Sequence, residues 1–202
     1  MISSQSSFFE ADSQSGSLID YYPDFFKTHC KNAEDSMFDY CKELKWEQNW
    51  IRTLKVPHLE TLYGDSNIYY EYSGVTLRSN GWDDWLKRLR DIIEEFSGYQ
   101  FNYAIGNLYR DEKDSIGWHD DARPELGSSP AIASISLGAV RKFQYRLKPS
   151  GSKPNGPIET IHMAHGSLVL MHPGFQEDYI HQVPKEKTGK QPRINWTYRK
   201  NV

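Results

Sequence analysis

The spacing of apolar residues changes from a helical to an alternating pattern near residue 98. Before that point, a period near 3.6 predicts an amphipathic helix beginning at about residue 32, with Met37, Phe38, Cys41 and Leu44 on one face. A longer helix is predicted over residues 82–96, where an apolar stripe that begins with two tryptophans lies opposite a charged one. Gly98 follows this stripe and belongs to the residue type that most often ends a helix.

After residue 98 the pattern predicts short strands separated by turn-forming segments rich in Gly, Pro and Ser. The predicted strands cover residues 102–109, 131–137, 142–146, 159–163, 167–171, 179–183 and 194–198, with an earlier one over 67–72. Helices followed by many short strands favour an α+β fold. We expect a double-stranded β-helix, or jelly roll, with the N-terminal helices packed on one of its sheets.

The first 18 residues differ in composition from the rest of the chain. Seven serines fall within residues 2–17, together with few apolar side chains. Such a segment cannot offset the conformational entropy that ordering would cost, so a disordered tail is predicted over residues 1–18. The remaining residues, 19–202, have the length of a single domain.

Charge is distributed unevenly along the chain. The net charge of −3 at pH 7 excludes a protein that is basic throughout. Residues 141–202, however, hold 11 Lys and Arg against 4 Asp and Glu, a net charge of +7. This region contains candidates for a surface that follows nucleic-acid phosphates, namely Arg141, Lys142, Arg146, Lys148 and the lysines of the 185–190 loop.

Cysteine usage and the lengths of the apolar runs indicate an intracellular protein. Cys30 and Cys41 form neither a metal-binding spacing nor a disulfide framework. The first basic residue is Lys27, so no secretion signal is predicted, and no apolar run is long enough to cross a bilayer. We expect a monomer in the cytoplasm or nucleus, without membrane contact.

Three residues have the types and spacing of a metal site. His119 and Asp121 stand two positions apart, so in an extended segment both side chains point to one face. His181 lies in a predicted strand and can complete the set across a jelly roll. Two imidazoles and one carboxylate suit non-haem Fe(II) and leave coordination positions open. The pattern by itself is weak, because a distant histidine is more often a core residue.

Two arginines on the last predicted strand suggest an anion site. Arg193 and Arg199 stand six positions apart and therefore share a face of the strand. Arginine binds carboxylates through two parallel hydrogen bonds, so the pair fits a dicarboxylate, although surface ion pairs explain the spacing equally well. Asn107 and Tyr109 share a face of another predicted strand and add neutral hydrogen-bonding groups.

Several segments, in the same order, resemble those of the AlkB-type Fe(II)/2-oxoglutarate-dependent dioxygenases. They include IGNLY at 105–109, DSIGWHDD at 114–121, HQVPK at 181–185 and RINWTYR at 193–199. The resemblance runs from about residue 63 to residue 200, and its R-x-N-x-T-Y-R ending is the most specific part. The sequence is most similar to the nucleic-acid demethylases of this family.

The resemblance implies a site for Fe(II), 2-oxoglutarate and O₂. His119, Asp121 and His181 are implied to bind the iron. Five residues are implied to hold 2-oxoglutarate, two arginines at its carboxylates and three hydrogen-bonding groups: Arg193, Arg199, Asn107, Tyr109 and Asn195. The implied reaction converts 2-oxoglutarate to succinate and CO₂, and hydroxylates an N-alkyl carbon that leaves as an aldehyde. In this family the reaction repairs alkylated bases of DNA or RNA.

Substrate recognition is implied in a lid over about residues 46–80, ahead of a catalytic jelly roll over about 100–200. Tyr70 and Tyr72 share a face of a predicted strand, where they can contact a base that is flipped out of its stack. The same pair fits an ordinary exposed hairpin equally well.

The positions after the H-x-D motif depart from the family pattern. Repair enzymes of the family typically carry acidic residues there that meet the exocyclic amine of a damaged base, whereas this chain has Ala122 and Arg123. An arginine cannot accept a hydrogen bond. Either Glu125 replaces the missing acids, or Arg123 contacts a carbonyl or anionic group of the substrate.

Two alternatives to nucleic-acid demethylation therefore stay open. The same cofactor chemistry can act on a small molecule or a protein side chain, a reading that Arg123 and the acidic net charge favour. A binding module without turnover is the other alternative, and the complete set of iron ligands and arginines argues against it.

Overall fold

The computed structural model of the protein describes residues 17–127, 129–149 and 156–201. Apart from its last two residues, the predicted Ser-rich tail lies outside these ranges. The described residues form four α-helices: α1 (Phe25–His29), α2 (Glu34–Lys42), α3 (Asp84–Ser97) and α4 (Phe175–Asp178). No helix in these ranges is long and apolar enough to cross a membrane.

Two antiparallel sheets form the centre of the molecule. The larger sheet has six strands in the order β1 (Ile19–Tyr22), β12 (Ser167–Met171), β9 (Ile132–Gly138), β14 (Arg193–Arg199), β7 (Tyr103–Tyr109) and β4 (Leu59–Gly64). The smaller sheet has four strands in the order β11 (Glu159–Met163), β10 (Arg141–Leu147), β13 (Tyr179–Val183) and β8 (Ile116–His119). Two hairpins complete the described strands: β2 (Trp50–Ile51) with β3 (Leu54–Lys55), and β5 (Tyr69–Tyr72) with β6 (Val75–Arg78).

Strand alternation divides the core into layers. Along β12, Val169 and Met171 pack between the two sheets, whereas Leu168 and Leu170 pack on the outer face of the larger sheet. Successive side chains of a strand point to opposite faces, so one strand contributes to both layers. Two facing antiparallel sheets are compatible with the predicted jelly roll.

The long helix α3 contributes to the outer layer, with Leu86, Leu89 and Ile93 buried. It begins at Asp83, whose carboxylate accepts backbone N–H groups at 2.9 and 3.2 Å, and ends at Gly98, whose φ of 74° lies in the left-handed region. The first two residues of the predicted apolar stripe have different outcomes. Trp82 lies before the helix and packs against the core, whereas Trp85 lies on the helix and is 38% exposed.

The β5–β6 hairpin packs against β4 and β7 at one edge of the larger sheet. Tyr70, Val75 and Leu77 of the hairpin contact a cluster that includes Leu62 and Ile105 of the sheet. The hairpin therefore sits beside the open end of the space between the two sheets.

Candidate active site

The structure brings the three predicted metal ligands together at the edge of the smaller sheet. His119 ends β8 and is paired with His181 of β13, and their ring centroids lie 4.3 Å apart. Asp121 follows two residues later, with its carboxylate oxygens 3.8 Å from His119 Nε2 and 3.6 Å from His181 Nε2. The candidate ligand atoms all lie within 4.8 Å of one another.

The protonation states of this cluster suit a metal. Gly117 O lies 2.7 Å from His119 Nδ1; since a carbonyl only accepts, the proton sits on Nδ1 and the Nε2 lone pair faces Asp121. Burial, together with repulsion from His181, lowers the pKa of His119 to about 4, so the ring is neutral at pH 7. Neutral imidazole is the form that binds metals.

Asp121 is held in its ionised form although it is buried. Burial by itself would raise the pKa of this carboxyl group, but Arg199 Nη2 at 3.0 Å from Oδ1 and the two histidines hold it well below its usual range. The backbone N–H of Asp121 donates to Gln176 Oε1 at 2.9 Å, and Gln176 is itself buried. Gln176 is a positioning residue without a sequence signal, because it lies on the short helix α4, far from the H-x-D motif.

The five residues predicted to hold 2-oxoglutarate lie on β7 and β14, which are neighbours in the larger sheet. Their register pairs Arg193 with Tyr109 and Asn195 with Asn107. Arg193 is fully buried: its Nη2 donates to Ser136 Oγ at 2.7 Å, and its guanidinium carbon lies 5.1 Å from the centre of the Tyr109 ring. Burial lowers the pKa of Arg193 to about 10, which still leaves it charged at pH 7.

Both arginines have buried N–H groups that no acceptor among the described residues contacts. Nε and Nη1 of Arg193, and Nε and Nη1 of Arg199, have no hydrogen-bond partner among the described residues. Leaving a buried charged donor unpaired is costly, so these groups fit an anionic ligand with an acceptor at each end. The donor set of two imidazoles and one carboxylate likewise fits Fe(II). Iron and 2-oxoglutarate are thus groups that the residues present can hold.

The three residues predicted to contact the substrate also lie at this site. The rings of Tyr70 and Tyr72 lie 5.8 Å apart on β5, and Tyr70 lies 5.3 Å from the guanidinium carbon of Arg199. Arg123 donates from Nη1 to Ala122 O at 2.8 Å.

A single cavity of about 340 Å³ is lined by ten of the eleven predicted site residues. Arg193 is the exception, because it lies behind the ring of Tyr109. Glu125 does not line the cavity.

The cavity residues that the sequence did not indicate include two titratable ones, His58 and Glu60. Both are buried, at 2% and 5% exposure. The His58 ring stacks on Tyr109 with a centroid distance of 5.4 Å, and His58 Nε2 lies 3.4 Å from Glu60 Oε1. A carboxylate in a strand normally indicates a solvent-facing position, so the alternation pattern gave no signal for this pair.

The basic region contains one wrong prediction. Arg141 is buried and donates to the backbone carbonyls of Asp111, Asp114 and Pro184 at 2.7–3.0 Å, so it cannot contact phosphates. Lys148 lies 2.8 Å from Asp120 at the edge of the site.

Comparisons with known proteins identify the family of the chain. The family model of the 2OG-Fe(II) oxygenase superfamily matches residues 18–199. Alpha-ketoglutarate-dependent dioxygenase alkB homolog 3 of Homo sapiens is 38% identical over 193 residues, which cover 91% of this chain and 66% of that protein. DNA oxidative demethylase ALKBH2 of Mus musculus is 40% identical over 148 residues, which cover 72% of this chain and 62% of that protein.

The matched region therefore spans less than two thirds of the length of these curated relatives. The solved structure of OsALKBH1 superposes with a TM-score of 0.61 at 16% identity, covering 91% of this chain and 98% of that one, a similarity of fold. With its His-Asp-His cluster and a match over nearly its whole length, the chain belongs to the 2OG-Fe(II) oxygenase superfamily.

Proposed function

We propose that this protein is an Fe(II)/2-oxoglutarate-dependent dioxygenase that removes alkyl groups from the bases of DNA or RNA. One observation carries the proposal. The cluster of His119, Asp121 and His181 opens into the same cavity as Arg199, whose buried N–H groups are unpaired, and two neighbouring tyrosines of a hairpin.

Neighbouring groups set the protonation states of the metal ligands. His119 and His181 would bind iron through Nε2, and Asp121 through a carboxylate oxygen. Gly117 keeps the proton of His119 on Nδ1, and Arg199 keeps Asp121 ionised. With iron and 2-oxoglutarate bound, the site would supply an O₂-dependent oxidation that yields succinate and CO₂ and hydroxylates the N-alkyl carbon of the substrate.

The two arginines would orient 2-oxoglutarate. Arg193, fixed by Ser136, would take one carboxylate, and Arg199 would take the end nearer the metal ligands. Asn107, Tyr109 and Asn195 would add hydrogen bonds, because Tyr109 is paired with Arg193 and the pair of Asn107 and Asn195 lies between the two arginines in the register of β7 and β14.

The substrate base would enter beside the hairpin. Tyr70 or Tyr72 would stack on one face of a flipped base and the ring of His119 would cover the other, which keeps the alkyl group next to the metal. The proposed lid, residues 46–80, contains this hairpin and precedes the catalytic jelly roll of residues 100–200. The similarity to DNA oxidative demethylase ALKBH2 of Mus musculus supports this substrate class.

Succinate and formaldehyde formation test the proposal directly. The protein is supplied with Fe(II), 2-oxoglutarate and O₂ and given single- and double-stranded oligonucleotides with one N-methylated base, their unmethylated counterparts, and a panel of small methylated molecules and peptides. We expect formaldehyde only with a methylated oligonucleotide, in step with succinate. Stimulation by a small molecule or peptide, and by no oligonucleotide, would contradict the proposed substrate class and support the alternative.

A further inference from the structure

A buried carboxylate in the cavity has no part in the proposed iron and 2-oxoglutarate site. Among the described residues that line the cavity, the acidic ones are Asp121 and Glu60. Asp121 is already engaged with Arg199 and the two histidines. Glu60 is therefore the remaining negative group that the cavity offers to a ligand.

Glu60 is held in place through one of its two oxygens. Oε2 accepts hydrogen bonds from the hydroxyl of Tyr72 and from Asn49 Nδ2, the latter at 2.9 Å. Oε1 lies 3.4 Å from His58 Nε2. One oxygen is thus held by two hydrogen bonds, whereas the other has this single longer contact and can accept a further hydrogen bond from a ligand.

The surroundings keep this carboxyl group ionised. Burial by itself would raise the pKa of Glu60, but His58, Tyr72 and Asn49 together hold it below its usual value. A fixed negative charge therefore lies in the wall of the cavity at neutral pH.

Glu60 lies where the larger sheet meets the hairpin. Its register partner is Asn107, which in turn pairs with Asn195, so the three stand in one row across β4, β7 and β14. Its hydrogen bond to Tyr72 links this row to the hairpin that would stack on the base. A base beside Tyr72 would thus present an edge towards Glu60.

Methylation gives a substrate base a positive charge, which is complementary to the negative charge of Glu60. A methyl group on N3 of cytosine or N1 of adenine turns the base into a cation and leaves an exocyclic amine beside the methylated nitrogen. The positions after the H-x-D motif offer no acceptor for this amine, because Ala122 is apolar and Arg123 only donates. Glu60 approaches the same cavity from the sheet.

We propose that Glu60 is the specificity-determining residue that accepts the exocyclic amine and balances the positive charge of an N-methylated cytosine or adenine. This inference rests on the proposed demethylase function. It predicts a preference for cationic, amine-bearing bases over neutral ones with a carbonyl at the same position.

The test compares 3-methylcytosine with 3-methyluracil in otherwise identical single-stranded oligonucleotides. The first base is cationic and has an amine at C4; the second is neutral and has a carbonyl there. We expect the wild type to favour 3-methylcytosine in kcat/KM by about 10-fold or more, and Glu60→Gln to lower this ratio by about 10-fold, since charge-assisted hydrogen bonds are roughly twice as strong as neutral ones. The matched control is Glu71→Gln, on the exposed side of β5, which should leave the ratio unchanged.

Different failures have different consequences. If Glu60→Gln lowers kcat/KM equally for both bases, Glu60 has only a structural role and the inference is overturned. Tyr72→Phe, which removes the hydroxyl from Oε2 but keeps the ring and the charge, should retain the preference. The wild-type ratio requires no variant, and a preference for 3-methyluracil would also overturn the inference. If the wild type acts on methylated oligonucleotides without preferring 3-methylcytosine, the inference alone is overturned; if it acts on no methylated oligonucleotide, the proposed function fails as well.

Discussion

The cavity has two walls that the fold builds in different ways. The proposed cofactor wall consists of Asn107, Tyr109, Asn195 and Arg199, with Arg193 behind the Tyr109 ring, all on two central strands of the larger sheet. The substrate wall consists of Glu60, Tyr70, Tyr72 and Arg123, drawn from an edge strand, a hairpin and a loop. Neighbouring central strands fix their side chains through the ladder of backbone hydrogen bonds.

The substrate wall is held by individual side-chain contacts in addition to the pairing of β4 with β7. Tyr72 donates to Glu60, Tyr70 lies against Arg199, and Arg123 donates to a carbonyl of its own loop. A wall of this kind can change its residues without disturbing the sheet. Under the proposed function, the central strands of the sheet carry the cofactor chemistry, whereas its edge and the hairpin carry the choice of substrate.

The largest effect is expected at the metal ligands, which serve both walls. His119→Ala should reduce succinate and formaldehyde formation by at least about 1000-fold, since residues that merely orient metal ligands are typically worth 10- to 100-fold. The control is Asp120→Asn, the neighbour whose carboxylate pairs with Lys148. Turnover that survives in the His119 variant would contradict the iron assignment.

The next effect isolates the cofactor wall. Arg193→Met should raise the KM for 2-oxoglutarate by about 100-fold, because a buried charged partner of a carboxylate is lost. The melting temperature should stay the same or rise, since an unpaired buried cation is replaced by an apolar side chain. Arg88→Met, on the exposed side of α3, is the matched control. An unchanged KM would remove Arg193 from the co-substrate site.

A smaller effect should appear at the substrate wall. Tyr72→Ala should lower kcat/KM for a methylated oligonucleotide by about 10-fold, because stacking of a base on an aromatic ring is lost. The KM for 2-oxoglutarate should not change. Tyr69→Ala, an exposed residue of the same strand, is the control and should have no effect. An equal effect of the two variants would contradict a stacking role for Tyr72.

The smallest effect is expected at Arg123, at the edge of the cavity. Arg123→Glu restores an acid after the H-x-D motif and should increase the preference for 3-methylcytosine over 3-methyluracil by about 3-fold, the scale of a partly exposed charge. Arg123→Gln removes the charge without adding an acceptor and should fall between the wild type and this variant. A lower preference in Arg123→Glu would show that the arginine itself contacts the cytosine.

The same two walls explain how much the sequence could predict. The strands over 159–163, 167–171 and 179–183 are predicted from sequence with the bounds that the structure has, because turn-forming segments with Gly and Pro bound them. Even spacing on one strand predicts that the residues of the cofactor wall share a face, whereas their role is implied only by the family resemblance.

The position of Glu60 could not be predicted from the local sequence pattern. Every residue of β4 after Leu59 is buried, so both faces of this edge strand are covered and no polar alternation remains. The hairpin strand predicted from residue 67 begins at Tyr69, because Asn67 has a φ of 69° and ends the preceding turn. Contacts between a sheet edge and a distant hairpin are set by tertiary packing, and local spacing carries no record of them.

Binding measured for both ligands in the same variants tests the division into two walls most directly. Dissociation constants for 2-oxoglutarate and for a methylated oligonucleotide are determined with the Fe(II)-loaded protein without O₂, for the wild type, Arg193→Met and Tyr72→Ala. The account predicts a crossed result: Arg193→Met weakens 2-oxoglutarate binding alone, and Tyr72→Ala weakens oligonucleotide binding alone. Two variants that weaken both ligands to the same extent would contradict it.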